Sequence, residues 1–390
     1  MKRLLQNNFL YAVALFAVVL FFGIGADINF YEFKVNGKTE TNYEFGNKDS
    51  MGYLQVEYSA NFPYKTNFVD LNGFVRRIVG QREMNDVIKL NNGYLTQVGS
   101  KMDDESISNN AQAIVDFNDY CVAHGTRLLY VQPAYKISKY DEQLPIGVTD
   151  GHNETIDKLL SLLSKADVPI IDLREMMYND GIDQYQLYFR TDHHWTNQGA
   201  FYAYKKIALE IAKETNTELD ANLLNIKNYR VDKYPGWHLG MRGQRTGAAF
   251  AGIDDFDLIY PGFETHIRQR STGAVAALED VLISKEVFNN HDVHNRYTYD
   301  SAYSAIDIND LESLDAKSNL NVWLLSDSFQ HGIKPYLLLT YKEFHVASYS
   351  TLSTSFIQNK KPDIVIIMPW PGYFNQGETC FNYIDDESKT

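Results

Sequence analysis

With 390 residues, 44% of them hydrophobic and 22% charged, the chain is long enough for one large domain or two ordinary ones and has the mix of a folded globular protein rather than a disordered one. Fifty acidic side chains against 36 basic ones give a formal net charge of −14, and no basic run exceeds a pair; this balance is repelled by phosphate backbones and argues against a nucleic-acid partner. Two cysteines, Cys121 and Cys380, exclude a disulfide framework and a cysteine-based zinc module, leaving one long-range bridge or two free thiols.

The amino terminus reads Met1-Lys2-Arg3, followed by an unbroken apolar stretch over residues 9–26. Basic residues ahead of such a stretch keep the terminus in the cytoplasm, and its length meets the lower limit for spanning a bilayer. Residues 1–26 are therefore expected to form a single N-terminal transmembrane helix that anchors the chain with the rest outside the cytoplasmic membrane. Gly23, Gly25 and Ala26 leave cleavage as a signal segment open. Residues 27–65 alternate polar and apolar positions, as in Tyr53-Leu54-Gln55-Val56-Glu57-Tyr58, and predict an extended stalk. No repeat or low-complexity linker follows, so residues 66–390 are expected to form one domain.

Within it a strand–helix alternation begins. Ile107, Ala111, Ile114, Val115 and Cys121 recur at helical spacing over 106–124 and Gly125 follows as a stop. Residues 127–132 read as a buried strand, 155–165 as a helix, 168–173 as a strand and 197–214 as a helix. The short apolar runs at 321–325 and 363–368 are typical of parallel strands, with a helix expected through Tyr336 to Tyr341. The rhythm breaks down over about 228–318, which suggests an insertion of loops and small strands. Strands alternating with helices predict an α/β fold with a mainly parallel central sheet, whose ligand crevice lies beyond the strand carboxyl ends.

Two loops lie at such ends. Thr191-Asp192-His193-His194-Trp195-Thr196 precedes a helix that Thr196 can cap, and Asp and His this close can supply a general base with the carboxylate that orients it. A helix-cap cluster or a metal site fits the tripeptide alone equally well. Leu325-Ser326-Asp327-Ser328-Phe329 follows an apolar strand and precedes a helix, the arrangement that exposes a nucleophilic hydroxyl; the Ser328 amide would be placed to donate to an oxyanion, and an ordinary Ser/Asp helix cap is the plainer reading.

Taken together, TDHHWTNQGA and the DSF after an apolar strand some 130 residues later resemble the DHHW family of exported SGNH-hydrolase-like proteins, which are similar to alginate O-acetyltransferases. Asn92-Gly93-Tyr94-Leu95, the stretch Pro133-Ala134-Tyr135-Lys136 with Tyr140 and Leu144-Pro145, and Pro362-Asp363 also match. The resemblance covers roughly 70–370 and implies a three-layer sandwich with a permuted motif order, Asp and His before Ser. It makes Ser328 the nucleophile, His194 the base and Asp192 its orienting carboxylate, with His193 the weaker candidate for base. Lys136 and Trp195 are assigned to substrate binding, and Trp237 and Arg242, in YPGWHLGMRGQRTG, are expected to reach a sugar from the insertion. Ser326 stands where ordinary SGNH enzymes have the Gly of G-D-S, His345-Val346-Ala347-Ser348-Tyr349 lacks the family's Asp-x-Arg, and clear Gly and Asn blocks are missing, so the oxyanion site is unassigned.

The implied activity is acyl transfer, most simply O-acetylation of a secreted or cell-wall polysaccharide through an acyl-serine, without cofactor or metal. The implied partners are that polysaccharide, a polytopic membrane-bound O-acyltransferase and, through the anchor, the bilayer. An esterase of acylated glycans would use the same residues. A tethered glycan-binding scaffold would instead use the tyrosine excess (27 Tyr), since tyrosine pairs an apolar ring with a polar tip; compositional drift explains that excess equally well. A metal-dependent DHH phosphoesterase would need upstream Asp motifs, for which residues 116–119 (DFND) are a poor substitute. His291 and His294 read as a solvated pair, and His331 as lining the site or lying on a helix surface.

Overall fold

The computed structural model describes residues 65–289, 299–349, 352–372 and 380–385. The expected anchor and stalk lie outside these residues, apart from Lys65, as do His291 and His294. Residues 1–72 and 73–390 form separate compact units; of the first, the described part is the start of helix α1 (Lys65–Ile78). Among the described residues no helix is long and apolar enough to cross a membrane.

In chain order the main elements are α2 (Asp104–Ala123), β1 (Arg127–Gln132), α3 (His152–Lys165), β2 (Ile170–Asp172), α4 (Asn197–Thr215), β3 (Tyr229–His238), α5 (Met241–Thr246), β4 (Asp254–Pro261), β5 (Ser318–Ser326), α6 (Gln330–Thr340), β6 (Tyr341–Ala347), α7 (Thr354–Lys360) and β7 (Ile364–Met368). Strands pair in the order β6-β5-β7-β1-β2, and all four pairings are parallel. This is the expected parallel sheet. Its central strands carry unbroken apolar runs, Leu128–Val131, Val322–Leu325 and Ile364–Met368, because both faces are covered. Leu129 and Val131 of β1 and Ile364 and Ile366 of β7 join the core that contains residues of α4 and α6. Their alternating neighbours Leu128, Tyr130, Val365 and Ile367 join the core under α2, α3 and α7. Two helical layers thus sandwich the sheet, as the period-two alternation of strand side chains requires.

Local signals set the boundaries. Asp103 caps α2 by accepting from the Ser106 amide at 2.8 Å. Asn216, with φ 51°, ends α4 in the left-handed region. Helix α6 begins at Gln330, earlier than expected, and carries Pro335 inside it; a proline reads as a first-turn residue in sequence, which places the start too late. Cys121 and Cys380 are free thiols.

Between α4 and β5 the pairing is antiparallel. β3 and β4 form a hairpin with a register shift between Tyr234 and His238, and Leu311–Ser313, Ile267–Gln269 and Val275–Ala276 form a small sheet. Such an irregularity re-aims the side chains beyond it. Here it turns His238 inward, opposite Asp254 in register.

Candidate active site

At the carboxyl end of β5 the chain makes a tight turn. The amides of Phe329, Gln330 and His331 are satisfied by Asp327 Oδ1 (3.0 Å), the Asp327 carbonyl (3.1 Å) and the Ser328 carbonyl (3.1 Å). Ser326 Oγ donates to the Met368 carbonyl at 2.7 Å, tying β5 to β7. Asp327 Oδ2 accepts from the Trp370 amide (2.6 Å) and the Tyr349 hydroxyl (3.0 Å), so one carboxylate joins the loops that follow β5, β6 and β7. Burial raises the Asp327 carboxyl above its ordinary range, against the pull of those backbone N–H groups and of Tyr349. Among the described residues no protein acceptor is bonded to the Ser328 backbone N–H.

The turn that carries Asp192 is held from both sides. Asp254 Oδ2 accepts from the Thr191 amide (2.7 Å) and hydroxyl (2.6 Å), and Oδ1 from the Arg190 amide (3.2 Å). The Phe189 amide closes on the His194 carbonyl at 3.2 Å. Thr196 caps α4, its hydroxyl accepting from the Gly199 amide at 3.2 Å. The last residue of β3 and the first of β4 therefore bracket the Asp-His segment: His238 meets Asp192 and Asp254 meets Thr191. Gly240 must be glycine, because a β-carbon there would sit 2.3 Å from Asp192 Cβ.

The structure brings Ser328, His194 and Asp192 together. His194 Nε2 lies 2.8 Å from Ser328 Oγ, and His194 Nδ1 lies 3.2 Å from Asp192 Oδ1. With Nδ1–H directed at the carboxylate, Nε2 accepts the serine hydroxyl. Asp192 is 1% exposed and His194 3%, while Ser328 is half-buried. His194 is wedged between Tyr299 (5.1 Å, stacked) and Phe329 (5.3 Å), which fixes its ring plane. The Asp192 carboxylate also accepts from the His193 amide at 2.6 Å and faces His238 Nε2 at 3.0 Å. Burial would raise its pKa, but its electrostatic interaction with the adjacent His194 and hydrogen bonds from His193, His194 and His238 outweigh burial and hold it well below the usual carboxylate range. Burial, with His194 beside it, lowers His193 to about 4.

The ligating atoms of Asp192, His193 and His194 lie within 4.8 Å of one another, a spacing a metal ion accepts. Two of the three are already committed, however: His194 reaches Ser328 and Asp192 through its two nitrogens, and Asp192 Oδ1 serves the His193 amide and His194.

The other expected site residues are placed differently. Trp195 is fully buried and packs edge-on against Phe329 at 4.9 Å. Trp237 is 3% exposed, between Phe256 and Phe288. A ring without an exposed face packs the core and offers no platform to a sugar, which corrects both assignments. Lys136 is buried too. Its amine donates to the Phe189 carbonyl and lies over the Tyr94 and Tyr188 rings at 5.2 and 5.4 Å, so it braces the Asp-His turn instead of meeting ligand. Burial lowers its pKa to about 7, with Asp254 and Asp192 opposing. Arg242, 4% exposed, leaves Nε without a hydrogen-bond partner and lies in the field of Tyr135 and Asp192. Among the described residues Tyr130, Tyr135, Tyr188, Tyr204, Tyr299, Tyr336 and Tyr341 are buried, so these rings line no groove. His238, Asp254 and Asp327 were missed. His238 stands beside Trp237 in a stretch already singled out, yet its 46-residue separation from Asp192 matches no local motif.

Residues 93–251 match the family model described as ALGX, the SGNH hydrolase-like domain of acetyltransferase AlgX; that span holds Asp192 and His194, and Ser328 lies beyond it. No curated protein matches the sequence. Among solved structures, PatB1 of Bacillus cereus with a sulfonyl adduct is 18% identical with a TM-score of 0.58, covering 77% of this chain and 98% of its own. A second PatB1 structure is 20% identical with the same TM-score, covering 74% and 96%. A DHHW family protein from Eubacterium siraeum is 16% identical with a TM-score of 0.53, covering 75% and 92%. At these identities the likeness to solved structures is one of fold.

Proposed function

We propose, from the match of residues 93–251 to the family model for the SGNH hydrolase-like domain of acetyltransferase AlgX, that the chain is an O-acetyltransferase in which Ser328, His194 and Asp192 carry an acetyl group from a donor to a polysaccharide hydroxyl. The observation that carries the reading is the continuous hydrogen-bonded line from Ser328 Oγ to His194 Nε2 (2.8 Å) and from His194 Nδ1 to Asp192 (3.2 Å), with the serine on a turn at the carboxyl end of a central strand.

In the first half-reaction Ser328 Oγ attacks the acetyl carbonyl while its proton passes to His194 Nε2. Asp192 holds the imidazole in the tautomer that accepts this proton and stabilises the imidazolium that forms. The tetrahedral oxyanion meets the unbonded Ser328 N–H. Collapse breaks the bond to the donor oxygen, which leaves with the proton from Nε2, and acetyl-Ser328 remains. In the second half-reaction Nε2 takes the proton of a sugar hydroxyl, the sugar oxygen attacks the acetyl carbon, and Ser328 Oγ regains its proton as it leaves. The buried Asp192 and the aromatic walls around His194 limit the water that would otherwise compete as acceptor.

The apolar stretch over residues 9–26, behind Met1-Lys2-Arg3, supports an anchor that holds the domain outside the cytoplasmic membrane. Acetyl donors are cytoplasmic, so a polytopic O-acyltransferase supplies the group across the bilayer. The test is an incubation with an aryl acetate and candidate oligosaccharides, following aryl release and acetyl-oligosaccharide by mass spectrometry. The wild type forms acetyl-oligosaccharide and Ser328→Ala does not; equal product from Ser328→Ala overturns the reading.

A further inference from the structure

Helix α1 ends in an ordered cap with an apolar face turned to solvent. The Gly80 and Gln81 amides bond to the Arg77 (3.2 Å) and Arg76 (2.9 Å) carbonyls, and Gly80 adopts φ +74°, the paired closure that terminates a helix in the left-handed region. Gly73 is buried against the molecule: a β-carbon there would meet the Thr246 carbonyl at 2.3 Å and Phe250 Cβ at 3.0 Å. On the opposite side Phe74, Val75, Ile78 and Val79 are 50, 50, 66 and 64% exposed. At 3.6 residues per turn these four fall on one face, centred opposite Gly73. Contiguous exposed apolar side chains on a fixed helix mark a docking surface.

We propose that this end of α1 lies in the headgroup region of an anionic lipid bilayer, as an interfacial helix distinct from any membrane-spanning segment. Three observations select lipid. The chain is strongly acidic, at −14, but over residues 73–82 Arg76, Arg77 and Arg82 stand with no acidic side chain among them, a local positive surplus that complements anionic headgroups. The helix follows 64 residues outside the described structure, which include the 18-residue apolar stretch over 9–26, so the same chain supplies a second apolar element able to reach a bilayer. A second copy of the chain is a poorer occupant, because a stable dimer buries about 800 Å² per partner, more than four side chains on two turns provide.

The seat has a consequence for the site. Arg77 donates to the Ala249 carbonyl (3.2 Å) and Gly73 packs against Thr246 and Phe250, so the back of α1 is fastened to residues 246–250. α5 runs directly into that segment from Gly240, the residue in contact with Asp192. A bilayer-seated α1 therefore holds the Asp192 side of the site at a fixed height above the lipid.

The experiment uses the full chain with Cys121 and Cys380 replaced by serine, reconstituted in nanodiscs of phosphatidylcholine with or without phosphatidylglycerol. An environment-sensitive fluorophore is placed at Val75→Cys, Ile78→Cys or, as a control on an exposed loop, Thr272→Cys. The proposal expects quenching by aqueous iodide to fall at least threefold at 75 and 78 relative to 272, quenching by doxyl-labelled lipid at 75 and 78 only, and both effects to grow with phosphatidylglycerol. Equal iodide quenching at all three positions overturns it. So does protection at 75 and 78 without doxyl quenching, which assigns the face to a second copy or another protein. As a second variant, Ile78→Glu, at a position already exposed, restores iodide quenching at 75; protection that persists in that variant also overturns the proposal.

Discussion

His238 reaches the Asp192 oxygen that His194 does not use: its Nε2 lies 3.0 Å from Oδ2, while His194 Nδ1 lies 3.2 Å from Oδ1. Both His238 and Asp192 are essentially without solvent contact. The second histidine therefore fixes the carboxylate plane that in turn fixes His194. In His238→Ala, Asp192 loses one of the donors that hold its pKa down. A buried acceptor left short of a donor costs about 1–3 kcal/mol, and the expected loss in kcat/KM is about 10-fold to 100-fold. The acid limb of the kcat/KM profile also shifts upward, because the depressed carboxylate loses its charge at higher pH. His238→Gln, which can still donate, recovers part of the activity and returns the acid limb toward wild type.

Gly240→Ala places a β-carbon 2.3 Å from Asp192 Cβ and 2.6 Å from its Cγ. Neither atom belongs to the far end of a flexible side chain, so the α5 segment or the Asp-His turn must move. Overpacking of this kind costs about 1–3 kcal/mol. The expected result is a lowered urea midpoint and a fall in kcat larger than the stability loss explains, because the displaced group is the one that orients His194.

Asp327→Asn exchanges an acceptor-only group for one that also donates, opposite two backbone N–H groups and the Tyr349 hydroxyl. The amide oxygen satisfies one side, and the other faces donor to donor. The Ser328 turn loosens from the loop at Trp370, kcat falls, and thermal denaturation shows a lowered midpoint that Asp327→Glu does not restore.

Lys136 carries a testable pH signature. Its folded pKa, about 7, lies below the unfolded value of about 10.4, so the unfolded chain binds more protons between those values and stability rises with pH across that window. Urea midpoints of wild type and Lys136→Met, measured from pH 6 to 9, should show the wild type gaining on the variant above pH 7 and running parallel to it below. Parallel curves throughout would mean that the amine titrates as if exposed.

The central strands were legible because a strand buried on both faces needs an apolar run, and 127–132 and 363–368 carry such runs without reference to anything distant. The Asp-His and Asp-Ser segments were legible as chemistry adjacent to strand ends. What the sequence hid is the bracing. His238 and Asp254 reach the Asp-His turn only because the β3–β4 register shifts between Tyr234 and His238, and no spacing along the chain announces a cross-strand irregularity. Trp195 drew attention as a ring beside the Asp-His pair and Trp237 as a ring in the irregular insertion, but ring type does not reveal which way a side chain faces, and both face the core. The early start of α6 was obscured by Pro335, whose ordinary position is the first turn of a helix.

The measurement closest to the central claim is the mass of the enzyme quenched during turnover of an aryl acetate, followed by peptide mapping. The account predicts one acetyl group on Ser328 in the wild type, its discharge on adding acceptor oligosaccharide, and its absence in Ser328→Ala. Acetyl carried on another residue, or undiminished turnover by Ser328→Ala, would contradict it.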